Sequence, residues 1–131
     1  MRHSRLLTFA VFLVAGCAAT PVDDPVRDAS ITLLPGQTAV LNRGTKLRYD
    51  EAADSRCPTD VRCVWAGMVA YRLTLSTPRG KQSFALHKDA PAAAPGGLRI
   101  AIGQAVEPPR GAAGDAAPPH PVTFTITSGT P

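Results

Sequence analysis

The side chains with the strongest capacity for chemistry are the cysteines, one methionine and two histidines. Their positions are Cys17, Cys57, Cys63, Met68, His87 and His120. Thiolate, thioether and imidazole groups are soft ligands that suit Cu(I) or Zn. The Cys-x5-Cys spacing, however, lacks the short Cys-x2-Cys arrangement of most structural zinc sites. A metal site built from Cys57, Cys63, Met68 and His87 is therefore the alternative hypothesis, and no cofactor is expected.

Carboxylates and a serine–histidine pair give weaker grounds for catalysis. Asp50, Glu51 and Asp54 lie close together and could act as general acid and base, but a solvated turn explains them equally well. Ser83 and His87 share one face of a predicted strand, yet they would stand about 13 Å apart, where a nucleophile and its base need roughly 3 Å. The chain has neither a Gly-x-Ser-x-Gly elbow nor a Gly-rich phosphate loop. We therefore expect a protein that is not an enzyme.

The first cysteine closes a secretion signal. A basic head precedes a ten-residue apolar run at residues 6–15, which is shorter than the about 20 residues that a membrane-spanning helix needs. The run leads into Val-Ala-Gly-Cys, and these small residues before Cys17 resemble the bacterial lipobox, where the thiol is diacylated and the chain is cut just before it. We predict a lipoprotein signal peptide at residues 1–16 and attachment to a lipid bilayer through palmitate-like chains on Cys17. Ala18, in place of aspartate, implies the outer membrane of a Gram-negative envelope, facing the periplasm.

The other two cysteines are predicted to form a disulfide. Outside the cytoplasm a lone pair of cysteines is normally oxidised, and closing the loop from Cys57 to Cys63 stabilises a fold by about 2.4 kcal/mol in the chain-entropy treatment. Pro58 stiffens this loop. Trp65 shares its strand face with Cys63, so we expect it to pack beside the disulfide in the core. Gly67 indicates a bulge or a close approach of two backbones.

Alternating hydrophobicity predicts the elements that must position these residues. No window shows a sustained helical period, and turn residues separate the alternating runs. We therefore predict an all-β fold, a small antiparallel β-sandwich or barrel stapled by one disulfide, whose first two strands form a hairpin. The strands are expected around residues 31–34, 38–41, 46–50, 61–76, 81–87, 98–102 and 122–127.

The domain organisation follows from length and composition. The 131 residues suffice for one domain, and the formal net charge of +4 includes Arg2 and Arg5 of the predicted signal peptide. The remaining charge is too small to indicate a nucleic-acid partner. Residues 17–29 are predicted to be the lipidated cysteine and a flexible tether, and residues 30–131 a single β domain. Loops rich in Pro, Ala and Gly are expected at residues 88–97 and 103–121, the second as an exposed excursion.

Two short segments resemble a known group of proteins. Asp-Ser-Arg-Cys-Pro at residues 54–58 and Cys-Val-Trp-Ala-Gly at residues 63–67 resemble a motif of small bacterial lipoproteins and periplasmic proteins without assigned function. Pro-Pro-His-Pro at residues 118–121 is a fainter similarity to the same group. The resemblance implies no activity or substrate. It implies a structural role for Asp54, Arg56, Pro58, Trp65 and Gly67.

The sequence favours binding over catalysis by elimination. Asp54, Arg56, Asp60 and Arg62 occupy a loop stiffened by a disulfide and a proline, and a pre-organised loop binds with a smaller ordering cost. The simpler alternative is that Asp54 and Arg56 only hold the turn. We expect an outer-membrane-anchored periplasmic lipoprotein with a non-catalytic binding or envelope-structural role, whose candidate partner is an envelope protein. The alternative function is a periplasmic copper- or zinc-binding, or metal-tolerance, lipoprotein.

Overall fold

The chain forms a sandwich of two antiparallel sheets. The computed structural model describes residues 24–90, 92–93 and 95–129. One sheet has the strand order β1-β7-β6 and the other β2-β3-β4-β5. A 3-10 turn, Pro95–Gly97, precedes β6. The strands are β1 (Ala29–Leu33), β2 (Thr38–Val40), β3 (Lys46–Asp54), β4 (Val69–Thr77), β5 (Gly80–Leu86), β6 (Leu98–Ala105) and β7 (Val122–Ser128). The predicted all-β fold is confirmed, and the two sheets do not close into a barrel.

Alternating apolar side chains explain where the core lies. Successive strand residues face opposite sides of a sheet, so one face of each strand can be buried while the other meets water. The ring of Tyr49 lies at the centre, with centroids 6.1 Å from Tyr71 and 5.5 Å from Phe124 in edge-on geometry. The fully buried side chains are those of Leu47, Tyr49, Tyr71, Leu73, Leu75, Ile100, Val122, Phe124 and Ile126.

The predicted hairpin between the first two strands is wrong. β1 pairs with β7 and β2 pairs with β3, so the turn at Pro35 and Gly36 carries the chain from one sheet to the other. Residues 42–44 and 78–79 lie in the turns of the β2–β3 and β4–β5 hairpins. The difference has a physical reason: alternation shows which face of a strand is buried, but it does not name the neighbouring strand.

The longest predicted strand, at residues 61–76, is correct only in its second half. β4 begins at Val69, and the residues before it belong to a loop. The boundaries of the predicted Pro-rich loops also change. β6 runs to Ala105, inside the predicted loop 103–121, and the 3-10 turn lies inside the predicted loop 88–97.

The predicted flexible tether is too long at its C-terminal end. Val26 belongs to the core at 9% exposure, and the Asp28 carboxylate accepts a hydrogen bond from the Ser128 amide at 2.8 Å. β1 then begins at Ala29. Residues 24–29 are therefore part of the domain, while Cys17 and the predicted signal peptide lie outside the described residues.

β3 runs the length of the sandwich and separates two poles. Its first residue, Lys46, follows the turn that holds Asn42, whose amide donates to the Asp24 carbonyl at 2.6 Å. Its last residue, Asp54, continues into the loop that carries the disulfide. Nine strand residues span about 26 Å. The N-terminal pole is defined as residues 24–28, 41–46, 77–81 and 95–99, and the disulfide pole as residues 54–68 and 106–118.

Candidate functional site

The disulfide loop, residues 55–68, leaves the sheet as a narrow-necked hairpin. At the neck the Ser55 amide donates to the Met68 carbonyl at 2.9 Å, and the Met68 amide donates to the Ser55 hydroxyl at 3.1 Å. One step further out, the Cys57 amide donates to the Ala66 carbonyl at 3.1 Å. These bonds satisfy the backbone of the neck without extending the strand pairing of β3 and β4. The loop therefore projects from the end of the sandwich instead of continuing it.

A disulfide and a glycine lock the two arms of this loop together. Cys57 and Cys63 are joined as predicted, with their Cα atoms 5.7 Å apart. Gly67 has φ of +67°, and a Cβ at this position would collide with the Ser55 carbonyl. A glycine is needed here for both reasons, since it alone tolerates this φ and this closeness without cost. Of the two alternatives predicted for Gly67, a bulge or a close backbone approach, the structure shows the close approach, which lies at the loop's neck and not within a strand.

Arg56 is the centre of a polar network under the disulfide loop. Its guanidinium makes a two-pronged contact with Asp54, Nε to Oδ1 at 2.9 Å and Nη2 to Oδ2 at 2.6 Å. It also donates to the Pro108 carbonyl at 2.8 Å and reaches Glu107 at 3.3 Å. The two partners are largely shielded, with side-chain exposures of 14% for Arg56 and 18% for Asp54. The simpler sequence alternative, that this pair holds the turn, describes the observed contacts.

Asp54 and Arg56 shift each other's pKa in the direction that favours the charged forms. Hydrogen bonds from the Arg56 side chain lower the pKa of Asp54, with a smaller lowering from the Arg56 amide, while burial acts in the opposite sense. The Asp54 carboxylate in turn raises the pKa of Arg56. Each group thus favours the charged form of the other, so the pair is a charge-assisted bridge between neighbouring residues of the loop.

The proline-rich loop, residues 106–121, lies against the disulfide loop. The Thr59 amide donates to the Gly111 carbonyl at 3.0 Å, and the Asp60 carboxylate accepts from the Ala113 amide at 2.8 Å. Most of this loop is exposed, as the sequence predicted, but its contacts with Thr59 and Asp60 also tie it to the disulfide pole. Between the two loops lies an open cleft of about 440 Å³ lined by Asp54, Arg56, Pro58, Pro109, Arg110, Gly111, Ala112, Gly114, Asp115, Ala116, Ala117 and Pro118.

Large apolar side chains are exposed on the disulfide loop. We call this group the apolar tip; its members and exposures are Val61 45%, Val64 93%, Trp65 82% and Met68 51%. The prediction that Trp65 packs in the core beside the disulfide is therefore wrong. Residues 61–68 have no strand partner, and the two-residue alternation assigns a core face only to a chain that is paired in a sheet. The rule holds again from Val69, where pairing with Asp54 begins.

His120 is a site residue whose position the sequence reasoning missed. It is 8% exposed, its ring centroid lies 5.7 Å from that of Tyr71, and its Nδ1 lies 3.1 Å from the Pro118 carbonyl. Its Nε2 and the Tyr71 hydroxyl are buried without a hydrogen-bond partner. Burial raises the pKa of Tyr71, and it raises the pKa of Tyr49 to about 12. The sequence signal for this position is the spacing from Val122. His120 lies two residues before the inward-facing Val122, and residues two apart in an extended chain face the same side.

The structure does not gather the alternative metal ligands. Cys57 and Cys63 are bonded to each other, so neither offers a thiolate. Met68 belongs to the exposed tip, and His87 follows the end of β5 with its Nδ1 buried and unpartnered. Across the described ranges, no group of three or more His, Cys, Asp and Glu side chains is placed to hold a metal ion.

The carboxylates considered for catalysis are held by separate partners. Asp50 accepts a hydrogen bond from the Thr74 hydroxyl at 2.7 Å, and Glu51 accepts one from Arg72 at 2.7 Å. Asp54 is bound by Arg56. Each of the three therefore has a structural partner in the fold.

Comparisons with known proteins leave the site to be interpreted from its own geometry. No protein family, curated protein or solved structure matches this chain. Within the part of the chain that the structure describes, no helix has the length and apolarity to cross a membrane. The arrangement at the disulfide pole is thus an exposed apolar tip on a loop braced by a disulfide, an ion pair and a second loop.

Proposed function

We propose that this protein is a lipoprotein of the bacterial cell envelope, anchored through acylated Cys17 to the outer membrane and facing the periplasm, and that it binds a protein partner without catalysing a reaction. The residues around Cys17 support the anchor. The apolar tip is the single observation that carries the binding function. Its partner would be an envelope protein that presents an apolar recess for the Trp65 indole.

The tip has the composition of a binding surface. Scattered exposed apolar residues are normal on a protein, but four large ones within eight residues concentrate exposed apolar area on a single loop. Tryptophan supplies the largest apolar area of any side chain and is enriched among the residues that dominate interface energies. At 82% exposure, Trp65 leaves nearly all of that area available.

The base of the tip is rigid, which favours binding. The disulfide fixes the loop on one side, and Arg56 with its contacts to Asp54 and Pro108 fixes it on the other. A loop that is already ordered loses less conformational entropy when a partner binds it. The same bracing supports an envelope-structural role, since a fixed contact point suits a permanent neighbour as well as a transient one.

The position of the tip favours a partner away from the anchoring membrane. The tip projects from the disulfide pole, whereas Asp24 lies at the N-terminal pole. The seven residue-to-residue steps from Cys17 to Asp24 can span at most about 25 Å. Because β3 alone spans about 26 Å, a lipid-anchored domain with its N-terminal pole near the bilayer holds the tip on the opposite side.

Site-specific photo-cross-linking in intact cells tests the binding function. A benzophenone amino acid at Val64 should give a discrete adduct, and the same amino acid at Val40, which is 66% exposed near the N-terminal pole, should not give that adduct. In a chain that carries the benzophenone amino acid at position 64, the further substitution Trp65→Ser should abolish the adduct without lowering the amount of protein in the cell. Identical adducts from both positions, or an adduct that survives Trp65→Ser, would contradict the proposal.

Metabolic labelling tests the anchor. The chain should incorporate radiolabelled palmitate, and Cys17→Ser should remove the label and leave an unprocessed precursor. Cys57→Ser is the matched control. Cys57 is held in the disulfide, so this variant should keep its palmitate label at Cys17. Unchanged labelling of the Cys17→Ser variant would refute the anchor.

A further inference from the structure

The N-terminal pole carries a marked excess of basic side chains. Within the described residues it holds six basic side chains and two acidic ones, whereas the disulfide pole holds three basic and four acidic. The basic residues at the N-terminal pole are all exposed: Arg27, Arg43, Lys46, Arg79, Lys81 and Arg99. Of the two acidic residues, Asp28 is engaged by Ser128 and Asp24 lies 3.6 Å from Arg43. The small net charge of the chain therefore conceals a strong polarity between its ends.

Strand register brings part of this charge together. Lys46 pairs with Ser76 in β4, and Ser76 pairs with Lys81 in β5, so the two lysines flank one small residue in a row across the sheet. Directly paired residues face the same side of a sheet, which places both ammonium groups on one surface. Neither lysine lies within ion-pair distance of a carboxylate in the described residues.

A cleft opens beside two of these basic residues, Arg79 and Lys81. Its volume is about 530 Å³, and its lining includes the core residues Val26, Leu75 and Leu98 together with Asp24, the carboxylate near Arg43. Arg79 lines it from the turn that joins β4 to β5, and Lys81 lines it from the second residue of β5. An apolar recess bordered by cations suits a molecule with a phosphate at one end and hydrocarbon at the other, because the phosphate meets the cations and the hydrocarbon leaves water.

We propose that the N-terminal pole is a docking surface for an anionic phospholipid bilayer, with lipid phosphates bound by Arg79, Lys81 and Lys46. Basic clusters next to a membrane are attracted to anionic headgroups over about a Debye length. This pole also receives the chain from the predicted lipidated cysteine, so anchor and charge act on the same surface. The contact sets the long axis of the domain upright and directs the apolar tip away from the lipid. It requires neither the acyl chains nor the protein partner of the proposed function.

Sedimentation with lipid vesicles tests this docking surface. The chain from Ala18 onward contains every described residue and lacks the acylation site. It should bind vesicles of equal parts phosphatidylglycerol and phosphatidylcholine at about 50 mM salt, release them at about 500 mM salt, and ignore pure phosphatidylcholine. Binding to both lipids alike, or to neither, would overturn the proposal.

Charge reversal at each pole supplies the matched comparison. Arg79→Glu with Lys81→Glu should weaken binding to the anionic vesicles by more than about tenfold, since each basic residue near the surface contributes substantially. Arg62→Glu with Arg110→Glu changes the net charge equally at the disulfide pole and should leave binding within about twofold. All four side chains are exposed, so circular dichroism should show both variants folded. Equal losses in the two variants would mean that net charge alone drives adsorption and would refute a defined surface.

The docking surface and the proposed function fail separately. Loss of vesicle binding in the Arg79→Glu, Lys81→Glu variant, with an unchanged Val64 cross-link, supports two independent surfaces. A chain that shows the Val64 cross-link and palmitate labelling but never binds anionic vesicles refutes the docking surface alone.

Discussion

The two poles of this sandwich are built from different interactions. At the disulfide pole, charge is paired and shielded: Arg56 and Asp54 have side-chain exposures of 14% and 18%, and the apolar side chains are the ones exposed. At the N-terminal pole the arrangement is reversed. Val26 is buried, while the side chains of Arg43 and Asp24 in the pair there are 95% and 54% exposed.

This contrast shows that an ion pair and an apolar residue have effects set by their surroundings. A shielded, two-pronged arginine–carboxylate pair orders the loops that it joins, whereas an exposed pair is screened by water and contributes little. In the same way, a buried valine stabilises the fold and an exposed one is available to a partner. The disulfide pole therefore fits recognition of an apolar surface, and the N-terminal pole fits recognition of an anionic one.

Removing the disulfide should have the largest effect. We expect Cys57→Ala with Cys63→Ala to lower the free energy of unfolding by about 2–4 kcal/mol, because the seven-residue loop regains conformational freedom in the unfolded chain. Chemical denaturation measures this loss. Vesicle binding through the N-terminal pole should survive in the folded variant, and its disappearance there would show that the poles are not independent.

The two ion pairs should differ in their contributions. Arg56→Ala should cost about 2 kcal/mol, since it leaves the Asp54 carboxylate and the Pro108 carbonyl without their charged donor. Arg56→Lys should recover part of this, because an ammonium keeps the charge but not the fork. Arg43→Ala is the control at the N-terminal pole and should stay within about 0.5 kcal/mol. Equal losses from Arg56→Ala and Arg43→Ala in thermal or urea unfolding would refute the contrast.

Acid should weaken the disulfide pole through Asp54. The folded-state pKa of Asp54 lies below its ordinary value of 3.8, so the ion pair contributes its full stability above that value and loses it as pH falls through the lower folded-state pKa. The stability difference between the wild type and Asp54→Asn should be constant near neutrality and shrink below about pH 4. Urea unfolding at several pH values measures this. A difference that already shrinks between neutrality and pH 5 would point to another titrating group.

Trp65→Ala should have the smallest effect on stability. A side chain that is 82% exposed has little packing to lose, so the change should stay within about 0.5 kcal/mol. Trp65 is the single tryptophan, which makes intrinsic fluorescence a report on the apolar tip alone. Emission should be red-shifted and readily quenched by acrylamide in the free protein. Two results together would show that Trp65 is a core residue. They are blue-shifted, poorly quenched emission, and a fall in the free energy of unfolding of about 3–5 kcal/mol in Trp65→Ala, which is the cost of emptying a core aromatic site.

Much of the core could be read from the order of residues. Within the predicted strand 61–76, alternation predicts an inward face for Val69, Tyr71, Leu73 and Leu75, and all four are buried. The same alternation failed at Trp65, only a few residues earlier, because the chain there has no neighbouring strand. His120 shows the opposite error, since its parity with Val122 indicated burial and the surrounding prolines suggested a loop. Alternation therefore matches burial along the paired strand β4, fails in the disulfide loop at Trp65, and agrees with burial at His120 although that residue is unpaired. Nothing in the alternation itself reports the pairing.

The order of residues by itself determined the all-β class and the pairing of Cys57 with Cys63. Each alternating run specifies its own strand, and two cysteines six positions apart close a short loop, so both features depend on residues near one another in the chain. Only the tertiary structure decided that β1 joins β7, that Trp65 points outward and that basic residues from four segments share one pole. Arg56 and the Pro108 carbonyl are 52 residues apart in the chain, and their contact exists only because the sandwich brings both loops to one end. Residues near in sequence constrain each other through the backbone, whereas distant ones do so only after the sheets have packed.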